Sequence, residues 1–183
     1  MKRITIFTWG YWGWGNATKH FVKAVDAVEE SRGFKPPIFV DIRLSRSVRA
    51  PGFNGHAFEK TVGTDRYRWM KSLGNESIVS KSKKIKIADP SAAKELLDFA
   101  VAAAKENRRV IFYCACEAPK HCHRSTVARL VVNAAKKKRV PLEIGDWPGG
   151  KPGHIEVEVP LGDFRSIAKG KMSISLGKHI ELS

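Results

Sequence analysis

Apolar and polar positions alternate along this chain in two rhythms that take turns. "RITIFTW" (3–9) is a short β-rich apolar run that ends in a Gly-punctuated loop. "PPIFVDIRL" (36–44) and "RRVIFYCA" (108–115) repeat the type and predict buried strands, the first of them leading into a polar loop, "SRSVRAPGFNG". Between the runs the spacing turns helical. Phe21, Val22, Val25 and Val28 share one face, with Asn16 placed to cap. A further helix-like piece precedes "DRYRWMKSLG" (65–74), which predicts a strand with a turn at Gly74. Asp89 caps and Pro90 opens a helix whose apolar face carries Leu96, Phe99, Ala100, Ala103 and Ala104. "RSTVARLVVNAAKKK" (124–138) is amphipathic and ends in lysines, where the helix dipole favours cations. "VPLEIGDW" (140–147) is a last strand of the series. The alternation predicts an α/β fold: three layers, with a mostly parallel sheet flanked by helices.

The texture changes near residue 148. Two Gly/Pro breaks and short alternating runs, "HIEVEV" and "KMSISL", predict a small C-terminal β appendage. The division expected is an α/β domain over 1–147 that carries any site, and a β-rich extension over 148–183 packed on it. No internal repeat is present, and "SKSKKIKI" (80–87) reads as a solvated loop.

Composition narrows the partners. With 183 residues, 43% of them hydrophobic and 28% charged, the chain fits an ordinary globular domain with a core of its own. No apolar run approaches the roughly 18 residues that cross a bilayer, so no membrane partner is expected. The basic, apolar start raises the question of a signal peptide, but its repeated Gly and Trp fit a first strand and loop better. Three cysteines crowded into one segment form no disulfide framework. The expected location is cytoplasmic. Lys and Arg number 33 against 18 Asp and Glu, a net charge of +15. Such a surplus favours polyanionic partners, since neutralised phosphates release counterions. A generally basic or thermophilic proteome would give the same excess.

In open α/β sheets, ligands bind beyond the carboxyl ends of the strands. Polar and aromatic residues gather there: Trp9, Tyr11, Trp12, Trp14 and Asn16 after the first strand, Asp41, Arg43, Arg46 and Ser47 after the second. "YCACEAPKHCHRS" (113–125) follows the strand at 108–115. Three chemistries fit that segment. Cys114, Cys116 and Cys122 with His123 or His121 would make a zinc set. Cys116 with Arg124, eight positions on, approximates a nucleophilic cysteine loop, two residues longer than the tight phosphate-cradling kind. The third is an anion pocket at a helix N-terminus, with Arg124, Ser125 and Thr126 holding phosphate and Arg43 and Arg46 approaching from the second strand. Asp41 and Glu117, with His123, are then the acid–base candidates, unless the carboxylates merely pair with arginines. Trp9, Trp12 and Trp14 on a Gly-rich loop suit base stacking, or the filling of a core. The anion pocket is the favoured reading, with Glu117 and Arg124 at its centre.

The succession of a first strand and Gly/Asn loop, "VDIRLSRSVRAPGFN", "YRWMKSLGN" and "FYCACEAPKHCHRSTVA" resembles the domain of unknown function family numbered 488. The likeness spans about residues 3 to 145. Its most specific part is a cysteine just ahead of a glutamate, four residues, then Cys-His-Arg, met here by Cys114 or Cys116, Glu117, Cys122, His123 and Arg124. Asp41 and Arg43 fit the same pattern. The resemblance implies an α/β fold with a shared polar site and an association with DNA repair proteins. The Trp-rich loop and the tail after 148 stand as additions to it.

These lines lead to an expectation of a nucleic-acid-processing hydrolase that cuts an N-glycosidic or phosphodiester bond, with DNA favoured over RNA. A non-catalytic nucleic-acid-binding protein is the first alternative, and an enzyme acting on a nucleotide or sugar phosphate the second. No cofactor is expected, apart from zinc under the metal reading.

Overall fold

The computed structural model describes residues 3–15, 17–80, 84–149, 155–159 and 172–176. In chain order the elements are β1 (Ile4–Gly10), α1 (Thr18–Ser31), β2 (Lys35–Asp41), α2 (Ala57–Val62), β3 (Tyr67–Trp69), α3 (Ser77–Ser80), α4 (Ala93–Lys105), β4 (Arg108–Cys114), α5 (His123–Lys138), β5 (Leu142–Asp146), β6 (Ile155–Val159) and β7 (Met172–Leu176). The strand expected at 65–74 is shorter than its sequence run, because tight turns at Thr64–Arg66 and Lys71–Leu73 bracket it. Asp89 caps as expected, accepting from the Ser91 N–H at 2.8 Å. The turn it opens, Pro90–Ala92, is a 3-10 turn that runs on into α4. Asn16, expected to cap α1, lies outside the described residues, as do the lysine-rich positions 81–83.

Five strands form one sheet in the order β3-β2-β4-β1-β5, every neighbouring pair parallel. β6 and β7 pair antiparallel as the separate appendage. Val157 of β6 is buried in the same cluster as α1 residues, and Arg32 at the end of α1 donates to the Pro148 and Gly149 carbonyls at 2.6 and 2.7 Å. The extension therefore begins anchored on the α/β domain.

Side chains alternate across the sheet with the period of two that extended backbone imposes. Ile6, Val40, Val110, Phe112 and Cys114 face the cluster built from α4 and α5. Phe7, Trp9, Phe39, Ile111 and Tyr113 face the one built from α1 and α2. The connections after β1 and β2 thus run over one face, and the connection after β4 over the other. Where strands leave to opposite faces, a crevice opens beyond their carboxyl ends. Here it lies over adjacent β1, β4 and β2, and the cysteine-rich segment enters it. Among the described residues no helix is long and apolar enough to cross a membrane.

Candidate functional site

Two buried ionic centres stand at the carboxyl edge, one on each side of the sheet. On the α1/α2 side, Asp41 ends β2 with no exposed surface. Arg43 donates from Nε to both its carboxylate oxygens, at 2.8 and 3.0 Å, and from Nη2 at 2.5 Å. The Tyr67 hydroxyl donates to Asp41 at 2.9 Å, and Arg43 Nη1 is engaged by the Tyr11 hydroxyl and the Phe53 carbonyl. Burial and the facing Asp41 charge push the Tyr67 hydroxyl up to about 12 and hold Tyr113 well above the ordinary range, so both phenols stay neutral.

On the α4/α5 side, Arg124 is the hub and is also wholly buried. Its Nη1 donates to Thr8 Oγ1 of β1 at 3.2 Å and to Asp146 of β5 at 3.1 Å. Its Nη2 donates to the carbonyls of Cys116 and Glu117 at 3.2 and 3.0 Å. One guanidinium therefore ties the β4–α5 segment to two other strands. Gly10 sits under this tie: a Cβ there would lie 1.7 Å from the Cys116 carbonyl oxygen, so the close approach demands glycine.

These contacts redistribute the expected roles. Asp41 and Arg43 form a sealed structural pair, and Arg124 spends its terminal donors on protein atoms, so neither arginine has a fork turned to phosphate. Ser125 Oγ donates to the Pro119 carbonyl at 2.7 Å, and Thr126 is half-buried in the same turn of α5. His123 is buried, with Nε2 3.0 Å from the Ile42 carbonyl, which binds α5 to the end of β2 and removes the ring from acid–base work on a bound substrate. Trp9 stacks on Phe21 at 3.6 Å between ring centres, Tyr11 on Phe53 at 3.9 Å, and Trp14 packs beside Trp9. Trp9 and Trp14 are core residues, with no face open to a base. The gathering of Asp41, Arg43 and Arg124 into one pocket is not found either, because the sheet stands between the two centres.

What remains exposed at this edge is a different set. Trp12 is 67% exposed on the β1 loop. Trp69, at the end of β3, is 37% exposed. Its indole N–H donates to the Arg43 carbonyl at 2.8 Å, and the Arg46 guanidinium lies 4.6 Å over its ring. Arg46 is held in that pose by Glu59, at 3.1 Å. Cys116, Glu117, Lys120 and His121 are exposed on the β4–α5 segment. The role of Trp69 was hidden in sequence because a lone tryptophan in a strand reads as core. Asp146 and Thr8 were overlooked too, though each lies at or near the carboxyl end of an apolar run, the signal that singled out Asp41.

The three cysteines form one cluster. Their Sγ atoms all lie within 4.8 Å of one another, and Cys114 and Cys122 approach to 2.9 Å as free thiols. Cys122 is the N-cap of α5, its sulfur accepting the Arg124 N–H at 3.4 Å. Hydrogen bonds from Cys114 and Cys116 hold the Cys122 thiol far below its usual range, with His123 and the Arg124 N–H adding to the effect. Burial pushes Cys114 well up.

Asp146 supplies a pH dependence. Loss of water raises its carboxyl to about 6 and outweighs the opposing pull of Arg124 and Thr8. Since the folded state binds this proton more tightly than the unfolded chain, the contribution is favourable at low pH and is lost as pH rises from about 4 through 6. Asp146→Asn should remove that slope. Relative to the parent, the variant should gain on the order of 3 kcal/mol between pH 4 and pH 7, read by urea unfolding at each pH. A pH-independent difference would show that Asp146 ionises normally.

By fold and site, then, this is a doubly wound parallel α/β domain with a thiol-bearing segment at its switch point. The family described as "Domain of unknown function DUF488" matches residues 22–131, and the chain belongs to that family. The match runs from within α1 to within α5, so it takes in Asp41, Arg43 and the whole cysteine segment, and leaves β1 and β5 outside. No curated protein matches the chain. Among solved structures, the signal recognition particle receptor FtsY from Elizabethkingia anophelis in complex with GDP is similar with a TM-score of 0.37 and 15% identity. That likeness covers 79% of this chain and 40% of that one.

Proposed function

We propose that the protein binds single-stranded nucleic acid, DNA in preference to RNA, across the carboxyl edge of its sheet. The observation that carries this reading is the exposed Trp69 ring with the half-buried Arg46 guanidinium stacked on it, at the edge that also presents Trp12. Aromatic faces accept any base, and a guanidinium lying on one extends the platform while drawing phosphate. The net charge of +15 supplies the long-range attraction. Lys120 extends the cationic border along the β4–α5 segment, with His121 beside it.

Processing of the bound strand belongs to the same reading, as hydrolysis of an N-glycosidic or phosphodiester bond. Glu117 is its acid–base group, being the exposed carboxylate of the cysteine segment, whereas Asp41 is sealed. A cytoplasmic setting, and a place in DNA repair, accord with free thiols and a nucleic-acid ligand.

Fluorescence anisotropy with a labelled oligothymidylate tests the binding. Trp12→Ala and Trp69→Ala should each weaken it by about 1–3 kcal/mol, the usual worth of one base stack, with circular dichroism unchanged. Glu117→Gln should abolish cleavage and leave affinity intact. Equal affinities for the parent and both tryptophan variants would sink the reading.

A further inference from the structure

We infer that Cys114, Cys116 and Cys122 form a three-thiolate site for a thiophilic divalent cation of the zinc class. The three sulfurs come from a strand end, the residue two positions on, and the N-cap of the following helix, yet they lie within 4.8 Å of one another. Three thiolates at about 2.3 Å from a tetrahedral ion stand about 3.8 Å apart. The cluster therefore needs sulfur–sulfur separations to change by about 1 Å to reach that spacing. The 2.9 Å between Cys114 and Cys122 is well outside the ~2.05 Å of a disulfide.

The surroundings are those of metal-bound sulfur. Backbone N–H groups donate to two of the three: Cys116 to Cys114, and Arg124 to Cys122, both at 3.4 Å. Such second contacts orient ligands and stabilise thiolate charge. Three thiolates on a divalent ion carry one net negative charge, and the buried Arg124 guanidinium lies against Cys114 and Cys122 to balance it. Its Nε has no hydrogen-bonding partner among the described residues, although the side chain is wholly buried.

His123, a natural fourth ligand from sequence, is not one: its Nε2 is on the Ile42 carbonyl, and its Nδ1 is 3.9 Å from the Cys122 sulfur. Three protein ligands leave a fourth position for water or a ligand, the arrangement of catalytic rather than structural zinc. Cys116 is the exposed member of the set, so the site is reached from the solvent side of the segment.

The test is a titration of the reduced full-length protein with cobalt(II) under anaerobic conditions, followed by displacement with zinc(II). One equivalent should bind with a near-ultraviolet thiolate-to-cobalt charge-transfer band and the visible bands of a four-coordinate ion, and zinc should abolish both. Cys116→Ser, at an exposed position where folding is spared, should weaken binding at least tenfold, and Cys114→Ser and Cys122→Ser should eliminate it. His121→Ala should leave the cobalt spectrum and its stoichiometry unchanged. Absence of the charge-transfer band while three thiols titrate as reduced would overturn the site, as would undiminished binding by Cys116→Ser. The readout contains no nucleic acid, so its outcome is separate from that of the proposed function.

Discussion

Arg124→Met should lower the unfolding free energy by about 3–5 kcal/mol, the usual result of removing one partner from a buried ion pair. The side chain is wholly buried and bridges three strands, through Thr8 of β1, Asp146 of β5, and the Cys116 and Glu117 carbonyls beyond β4. Methionine fills much of the same volume, so the loss isolates the polar contacts rather than a cavity. It leaves Asp146 desolvated with only Thr8 beside it, and so should drive its carboxyl further upward, steepening the fall of stability above pH 6. Arg124→Lys should recover part of the loss, because one ammonium cannot serve two strands and two carbonyls at once. Urea unfolding of the three proteins at two pH values reads both effects. Parent-like stability for the methionine variant would mean that the hub is dispensable.

Asp41→Ala is the second large effect, again about 3–5 kcal/mol, which for a chain of this length lowers Tm by on the order of 10 °C. The change strands the Arg43 guanidinium, itself buried, with the Phe53 carbonyl and Tyr11 as its remaining partners, and takes the acceptor from the Tyr67 hydroxyl. Asp41→Asn should be milder, since an amide oxygen still accepts from Arg43. A residue that met substrate would behave otherwise: activity would fall while the melting curve stood still. Calorimetry on both variants separates the two, and an unshifted Tm for Asp41→Ala would return Asp41 to the list of substrate-facing groups.

The sequence carried the architecture well because its strands are short apolar runs and its helices are one-sided. Phe21, Val22 and Val25 do form the buried face of α1, and Leu96, Ala100 and Ala103 that of α4. It also pointed to the carboxyl edge, where polar residues pile up as strands end. What it could not convey was which side of the sheet each residue takes once the strands are ordered β3-β2-β4-β1-β5. Asp41 and Arg124 both sit at strand ends, yet opposite faces divide them into two sealed centres. Exposure was equally hidden: Trp9, Trp12 and Trp14 share one loop and its approach, but alternation buries the first, a turn exposes the second and the core takes back the third. Asp146 and Thr8 became partners of Arg124 only through a crossover that places β5 beside β1. The cysteine segment was legible as chemistry, and its geometry brings together the three cysteines without either histidine.

The central claim is that ligand meets this protein along the carboxyl edge of the sheet, over the Trp12 and Trp69–Arg46 surface. Backbone amide shift mapping on the isotope-labelled protein, titrated with an unlabelled oligothymidylate at two salt concentrations, addresses it most directly. The account predicts perturbations concentrated in the β1 loop around Trp12, from Arg43 to Ala50, at Trp69, and from Cys116 to His121, with affinity falling steeply at the higher salt. Shifts confined to the opposite edge, around Lys35, Arg108 and Leu142, or no shifts at either salt, would contradict it.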